Sequence, residues 1–210
     1  MSFIIVIAHY DEDLEWTKKL PADKIIIYAK GTIPDVPYTI IKLPNIGLEA
    51  HTYLTYIIDN YDSLPDVVFF MQGRDDCIQA EKIMNSIQIF QEYPNTMFVS
   101  NRIDNRHITD MFLDSNYHIH HWKGQDLYMC KDNFVEWFKK YVNKYLPYED
   151  IFLANLGACF AVSKEAIHSR PKDYYISLKS QFSERFEEIV HFIERSWIYV
   201  FNSEFNTFAV

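Results

Sequence analysis

The chain has 210 residues, of which 49% are hydrophobic, 17% aromatic and 23% charged, with a formal net charge of −9. That is ample apolar surface for one sizeable packed domain and argues against disorder. The acidic balance excludes a non-specific nucleic-acid binder, whose affinity comes from Lys and Arg neutralising phosphates; it leaves room for a phosphate ligand, because one metal ion and one arginine reverse the sign locally.

Residues 3–8 predict a buried first strand. The run is too short to span a membrane, and no basic segment precedes it. The loop His9-Tyr10-Asp11-Glu12-Asp13 follows, then a short helix over residues 14–20. Tyr10 can stack on a base and Asp11 can accept from base or ribose groups; an exposed turn that caps the helix explains them equally well. Residues 24–29 predict a second strand ending at Lys30-Gly31, and residues 39–43 a third. Asn45-Ile46-Gly47 then opens a helix over residues 48–61, whose Leu54, Ile57, Ile58 and Tyr61 recur at helical spacing. Glu49 and His51 stand in its first turn. Glu49 serves the helix dipole or a ligand.

Residues 67–71 are an unbroken apolar run, the pattern of a parallel strand buried on both faces. Gln72-Gly73-Arg74-Asp75-Asp76 follows at once. Ligands of open α/β sheets bind beyond the carboxyl ends of such strands. Two hard carboxylates there suit a divalent cation, and Arg74 suits a diphosphate. A solvated turn capping the next helix, residues 78–93, is the alternative. Residues 97–100 predict another strand.

Residues 101–128 are polar, aromatic and histidine-rich, and predict loops over the site. Within them His121 and Trp122 are candidates for holding an acceptor sugar; a plain surface loop is the competing account. An amphipathic helix is expected over residues 134–145. Glu149 and Asp150 are candidate general bases or a helix cap. A late strand is expected over residues 157–162, a helix start at 164–168, and a long helix over 182–201. On that helix Glu187, Glu188, His191, Glu194 and Arg195 recur at spacings of three and four. His191 is a candidate metal ligand and Arg195 a phosphate ligand; a solvated face is the competing account. Strands alternating with helices imply one α/β domain over 1–210, with a mainly parallel central sheet flanked by helices.

Cys77, Cys130 and Cys159 are odd in number and lack zinc spacing, as expected of a reduced, cytoplasmic protein. The apolar residues up to Val210 suggest a domain cut from a longer chain.

The order of strand, Asn45-x-Gly47, helix, apolar strand and Asp75-Asp76 resembles the nucleotide-sugar half of GT-A glycosyltransferases. The segments from Asn45 to Leu54 and from Leu64 to Gly73, with Tyr10-Asp11-Glu12-Asp13-Leu14-x-Trp16 and Glu194-Arg195-Ser196-Trp197, resemble a family catalogued as a domain of unknown function. They are also similar to a chlorella-virus N-terminal glycosyltransferase domain. The resemblance implies a GT-A-like (Rossmann-like) fold and a Mn²⁺- or Mg²⁺-dependent transferase. It would use a nucleotide-sugar donor, most plausibly a UDP-sugar, and a glycan or glycoprotein acceptor, and if viral it would work in host cytoplasm. Carried over, Asp75 and Asp76 would take the metal with help from His191. His9, Tyr10, Asp11, Lys30, Asn45, Gly47, Glu49, Arg74 and Arg195 would line the donor site. Asp150, Glu149 or Glu194 would serve catalysis, and His121 and Trp122 the acceptor. Gly73 stands where the first carboxylate of the Asp-x-Asp motif belongs. A non-catalytic nucleotide-sugar or glycan-binding module is the second expectation. A Rossmann dehydrogenase is disfavoured, since Ala8-His9-Tyr10-Asp11 replaces the GxGxxG that would follow strand one.

Overall fold

The computed structural model describes residues 1–74, 80–100, 103–107, 113–145, 152–204 and 206–209. Strands β1 (Phe3–His9) and β2 (Ile25–Ala29) lie parallel. The helix expected between them is instead two short 3-10 segments, Glu15–Lys19 and Ala22–Lys24. Strand β3 (Thr39–Lys42) extends the sheet beyond β2, and helix α1 (Leu48–Asn60) carries the chain back to β4 (Val67–Gln72) on the opposite side of β1. Helix α2 (Ala80–Glu92) and strand β5 (Phe98–Ser100) follow.

The histidine-rich middle is not all loop. It holds β6 (Ile103–Arg106) and a small hairpin of β7 (His121–Trp122) and β8 (Gln125–Asp126). Helix α3 (Phe134–Tyr141) is shorter than expected and begins with a capping box between Asn133 and Glu136. Strand β9 (Phe152–Asn155) pairs with β6, and β10 (Phe160–Ser163) replaces the strand expected over 157–162. Helices α4 (Lys164–His168) and α5 (Lys172–Lys179) come next; α5 was not anticipated. Helix α6 (Glu188–Val200) starts six residues later than the helix expected over 182–201, and β11 (Thr207–Ala209) gives the apolar tail a place beside β5.

The seven-stranded sheet runs β11-β5-β10-β4-β1-β2-β3. It is parallel except for β10, which opposes both β4 and β5. The expected α/β class with a mainly parallel sheet is therefore present. Alternation along β4 feeds both faces. Val68 and Phe70 join Tyr53, Ile57 and Trp197 in one core. Val67, Phe69 and Met71 join Trp16, Ile83 and Phe90 in the other. Phe70, Phe160 and Trp197 pack with ring centroids 5.3 Å apart in each successive pair. Among the described residues no helix is long and apolar enough to cross a membrane.

One buried carboxylate ties the middle segment to this frame. Glu188, with no exposure, accepts from the backbone N–H of Ile119 (2.7 Å) and of Cys130 (2.9 Å), and its Oε1 lies 2.9 Å from His118 Nδ1. Removing it strands two buried amides and an imidazole. Glu188→Ala is expected to lower unfolding stability by about 3 kcal/mol. Urea denaturation measures this, and a loss under about 0.5 kcal/mol contradicts the assigned role.

Candidate functional site

The connections from β1 run to β2 and β3 on one side, while β4 flanks β1 on the other. Strand order therefore reverses between β1 and β4, and their carboxyl ends leave a crevice, the usual ligand position in open α/β sheets. A cleft of about 600 Å³ opens there, a volume that suits a small-molecule ligand.

The end of β1 brings Ala8, His9 and Tyr10 to the cleft, β2 brings Lys30, and β4 brings Gln72 and Arg74. Asn45, Leu48 and Glu49 come from the start of α1; His191, Glu194 and Arg195 come from α6. The α1 entrance is a sharp backbone turn: Gly47 has φ 57° and Leu48 has φ 40°. A Cβ on Gly47 would lie 2.7 Å from the Phe182 ring, so glycine is required there for both reasons. Gly47 thus shapes the wall without lining it.

Buried charge dominates the inner end. Glu194 Oε1 accepts from Gly157 N–H at 2.9 Å, and its Oε2 lies 3.4 Å from His191 Nδ1 and 3.8 Å from Arg195. Burial pushes its carboxyl up, but the His191 hydrogen bond and the Arg195 charge outweigh it, leaving Glu194 below the usual range. Arg195, 1% exposed, also donates to the His191 carbonyl at 2.8 Å. Glu49 has the opposite balance. It keeps a little surface toward the cleft, but protein surrounds it, and loss of bulk water together with the Glu194 charge pushes it up to about 7. Lys30 is pushed down to about 7, chiefly by burial, against the pull of Glu49. Its ammonium donates to the carbonyls of Ile46 and Leu48, which fastens the turn into α1. His51, behind Lys30, is pushed down to about 4 by burial and by the Lys30 charge.

The cleft gathers most of the residues expected there. His9, Tyr10, Lys30, Asn45, Glu49 and Arg74 line it, as do Trp122, His191, Glu194 and Arg195. Trp122 packs on His191, with ring centroids 4.7 Å apart. Asp11 does not line the cleft; it accepts from the Thr32 hydroxyl at 2.8 Å and holds the turn after β2. His121 is turned to solvent, 72% exposed, 2.6 Å from Asp126. The face of α6 bearing Glu188, His191 and Arg195 is buried rather than solvated. Asp75, Asp76, Glu149 and Asp150 lie outside the described residues.

Several lining residues had not been anticipated. Gln72, Lys123 and Gln125 carried no pattern to single them out. Glu12, from the loop after β1, also lines the cleft. Its Oε2 accepts from Tyr10 N–H at 2.7 Å and lies 2.7 Å from where a Cβ on Gly73 would stand. Arg185 and Glu187 fall within the helix expected over 182–201 but precede α6, which begins at Glu188. The Tyr10 ring, expected to be open for stacking, carries the Arg185 guanidinium 4.2 Å from its centroid.

With the site in place, the chain can be set beside known proteins. It belongs to the family described as "Protein of unknown function (DUF3431)", which matches residues 4–208. No curated protein matches the sequence. Among solved structures it is similar to CMP:2-keto-3-deoxy-manno-octonic acid synthetase complexed with CTP, at 10% identity and TM-score 0.45, covering 100% of this chain and 90% of that one. It is similar to glucosyl-3-phosphoglycerate synthase from Mycobacterium tuberculosis in complex with Mn²⁺ and UDP-glucose, at 11% identity and TM-score 0.46, covering 99% and 67%. It is also similar to a cytidylyltransferase from Leptospira borgpetersenii, at 10% identity and TM-score 0.43, covering 100% and 76%.

The cleft stores electrostatic cost, with a definite pH dependence. Glu49 is protonated when folded and ionised when unfolded between about pH 4.5 and 7, so stability falls as pH rises through that window. Glu49→Gln removes the titration. It is expected to stabilise the protein by about 1–2 kcal/mol at pH 8 and to change little at pH 4. Urea midpoints at both pH values test this; destabilisation at pH 8 would show that Glu49 is a net stabilising charge.

Proposed function

We propose that the chain is a metal-dependent glycosyltransferase of GT-A type, a single domain over 1–210, related to the chlorella-virus domain and working in the cytoplasm. It moves a sugar from a nucleotide-diphosphate donor, a UDP-sugar, to a glycan or glycoprotein acceptor. One observation carries this reading: the cleft sits at the β1–β4 reversal and joins basic side chains to buried carboxylates.

In this reading Arg74 and Arg195 face the diphosphate, where the planar guanidinium matches phosphate oxygens. Asn45 and Glu49 border the ribose and diphosphate, and Trp122 offers the acceptor sugar an apolar face. Glu194 accepts from Gly157 N–H, lies 3.4 Å from His191 Nδ1 and 3.8 Å from the Arg195 charge, and its carboxyl is held below the usual range, which suits stabilising positive charge better than abstracting a proton. Asp150 and Glu149 remain the proposed bases if the reaction inverts.

The described residues offer part of a cation shell. Among them no group of three or more His, Cys, Asp or Glu is placed to hold an ion. His191 and Glu194 are 3.4 Å apart in the cleft. Glu12 places a carboxylate oxygen beside Gly73, in the space a side chain at 73 would need. The missing first carboxylate of the motif thus has a substitute from another loop, and Asp75 and Asp76 would complete the set. Hard oxygen donors of this kind fit Mn²⁺ or Mg²⁺. Such an ion, when bound, would offset charge developing on the leaving diphosphate.

Gly73 also favours the second reading, a non-catalytic nucleotide-sugar or glycan-binding module. Incubation with UDP-glucose and Mn²⁺ separates them. The transferase reading expects slow donor hydrolysis that EDTA stops and Mn²⁺ restores. It expects Asp75→Ala to cut that rate at least about 100-fold with an unchanged melting temperature. Metal-independent UDP binding with no turnover supports the module.

A further inference from the structure

The strap between α5 and α6, residues 182–187, borders the cleft through Arg185, Phe186 and Glu187 and is pinned along its length. Glu184 carbonyl accepts from Gly47 N–H at 2.8 Å, which ties the strap to the start of α1. Phe186 carbonyl accepts from Tyr128 N–H at 2.9 Å, and Glu188 N–H donates back to Tyr128 carbonyl at 3.0 Å. Glu187 is an N-cap residue whose carboxylate does not cap its helix. Its Oε1 instead accepts from both the N–H and the hydroxyl of Ser183, each at 2.9 Å, closing the strap on itself.

Arg185 projects from this strap. Its guanidinium lies 4.2 Å from the Tyr10 ring centroid and 4.7 Å from that of Phe186, so two aromatic faces hold it. Its Nε is buried and has no hydrogen-bond partner. Among the described residues no carboxylate forms an ion pair with it, and stacking leaves its N–H donors at the edge of the guanidinium plane, clear of the two rings. The Tyr10 ring that backs it is itself fixed, because Gly31 packs so closely that a Cβ there would be 2.8 Å from Tyr10 Cδ2. His9, 3% exposed on the same strand end, has an unpartnered Nδ1. A planar cation with a buried, unpartnered Nε, stacked in place on the wall of a cleft, suits an anion with several acceptor oxygens.

We propose that Arg185 is the phosphoryl anchor of this cleft, pre-stacked on Tyr10 so that its unused donors meet the diphosphate of a bound nucleotide. The assignment rests on the nucleotide-sugar reading above and adds a residue to it. The strap orders the side chain before the ligand arrives, so little rotamer entropy is lost on binding. Tyr10 then acts through Arg185, as a positioning residue, rather than by stacking on the base.

Calorimetric titration of UDP and of uridine, with Mn²⁺ present, into wild type, Arg185→Ala, Arg185→Lys, Tyr10→Leu and the Arg185→Ala/Tyr10→Leu double variant tests it. Arg185→Ala is expected to weaken UDP about 10- to 100-fold, the loss of charge-assisted hydrogen bonds, and uridine less than about threefold. Arg185→Lys keeps the charge but not the fork, and should fall between. Tyr10→Leu should weaken UDP with Arg185 present and add little once Arg185 is gone. Unchanged UDP affinity in Arg185→Ala overturns the anchor, as does an equal loss for UDP and uridine. Wild type that binds neither UDP nor uridine overturns the nucleotide-sugar reading, and the anchor with it. UDP binding that ignores Arg185 overturns the anchor alone. The Lys and Leu variants keep the result readable if the alanine variant is poorly folded.

Discussion

A helix that buries charge sets the terms for the rest of this molecule. Helix α6 turns Glu188, His191 and Arg195 inward, each at most 3% exposed. Ionised groups removed from water must be partnered or they cost several kcal/mol each. Glu188 therefore recruits Ile119 and Cys130 amides from a distant segment, and Glu194 recruits Gly157. The same helix packs Trp197 into the aromatic core against Phe160. Satisfying the polar face fixes the inner wall of the cleft, and burying the apolar face fixes α6 on the sheet.

The outer wall follows from topology. The strand order reverses at β1, so the connections leaving the parallel β1 and β4 diverge and leave a crevice at their carboxyl ends. Polar groups around it carry an electrostatic or desolvation cost. Glu49 and Lys30 are pushed toward each other in protonation, and His9 and Arg185 retain idle nitrogens. Local cost concentrated in one cleft is the usual signature of a functional surface. A ligand that brings negative oxygens would relieve the basic side.

Much of the architecture was legible in the residues because it is written locally. The apolar run at β4 declares a strand buried on both faces, and Gly47 marks the helix start because only a side-chain-free residue fits against Phe182. What was misjudged depends on distant partners. Residues 184–188 continue the charge spacing of α6, yet Glu187 is extended (φ −119°, ψ 143°) because flanking backbone groups pair with Tyr128, about sixty residues earlier. The antiparallel sense of β10 has no local code. β11 is three residues long, too short to show a period. In the site, Glu49, His191, Glu194 and Arg195 were visible as polar residues on otherwise apolar helices. Arg185 and Glu12 were not, since their places depend on Tyr10 and Gly73, which lie nearby only after folding.

The central claim is that the β1–β4 cleft is a nucleotide-diphosphate site. A crystal soaked with a UDP-sugar and Mn²⁺ tests it most directly. The account predicts density for the nucleotide in this cleft, with the diphosphate within hydrogen-bond distance of Arg185 or Arg74 and a cation beside it. Nucleotide bound elsewhere on the molecule, with the cleft filled only by solvent, would contradict it.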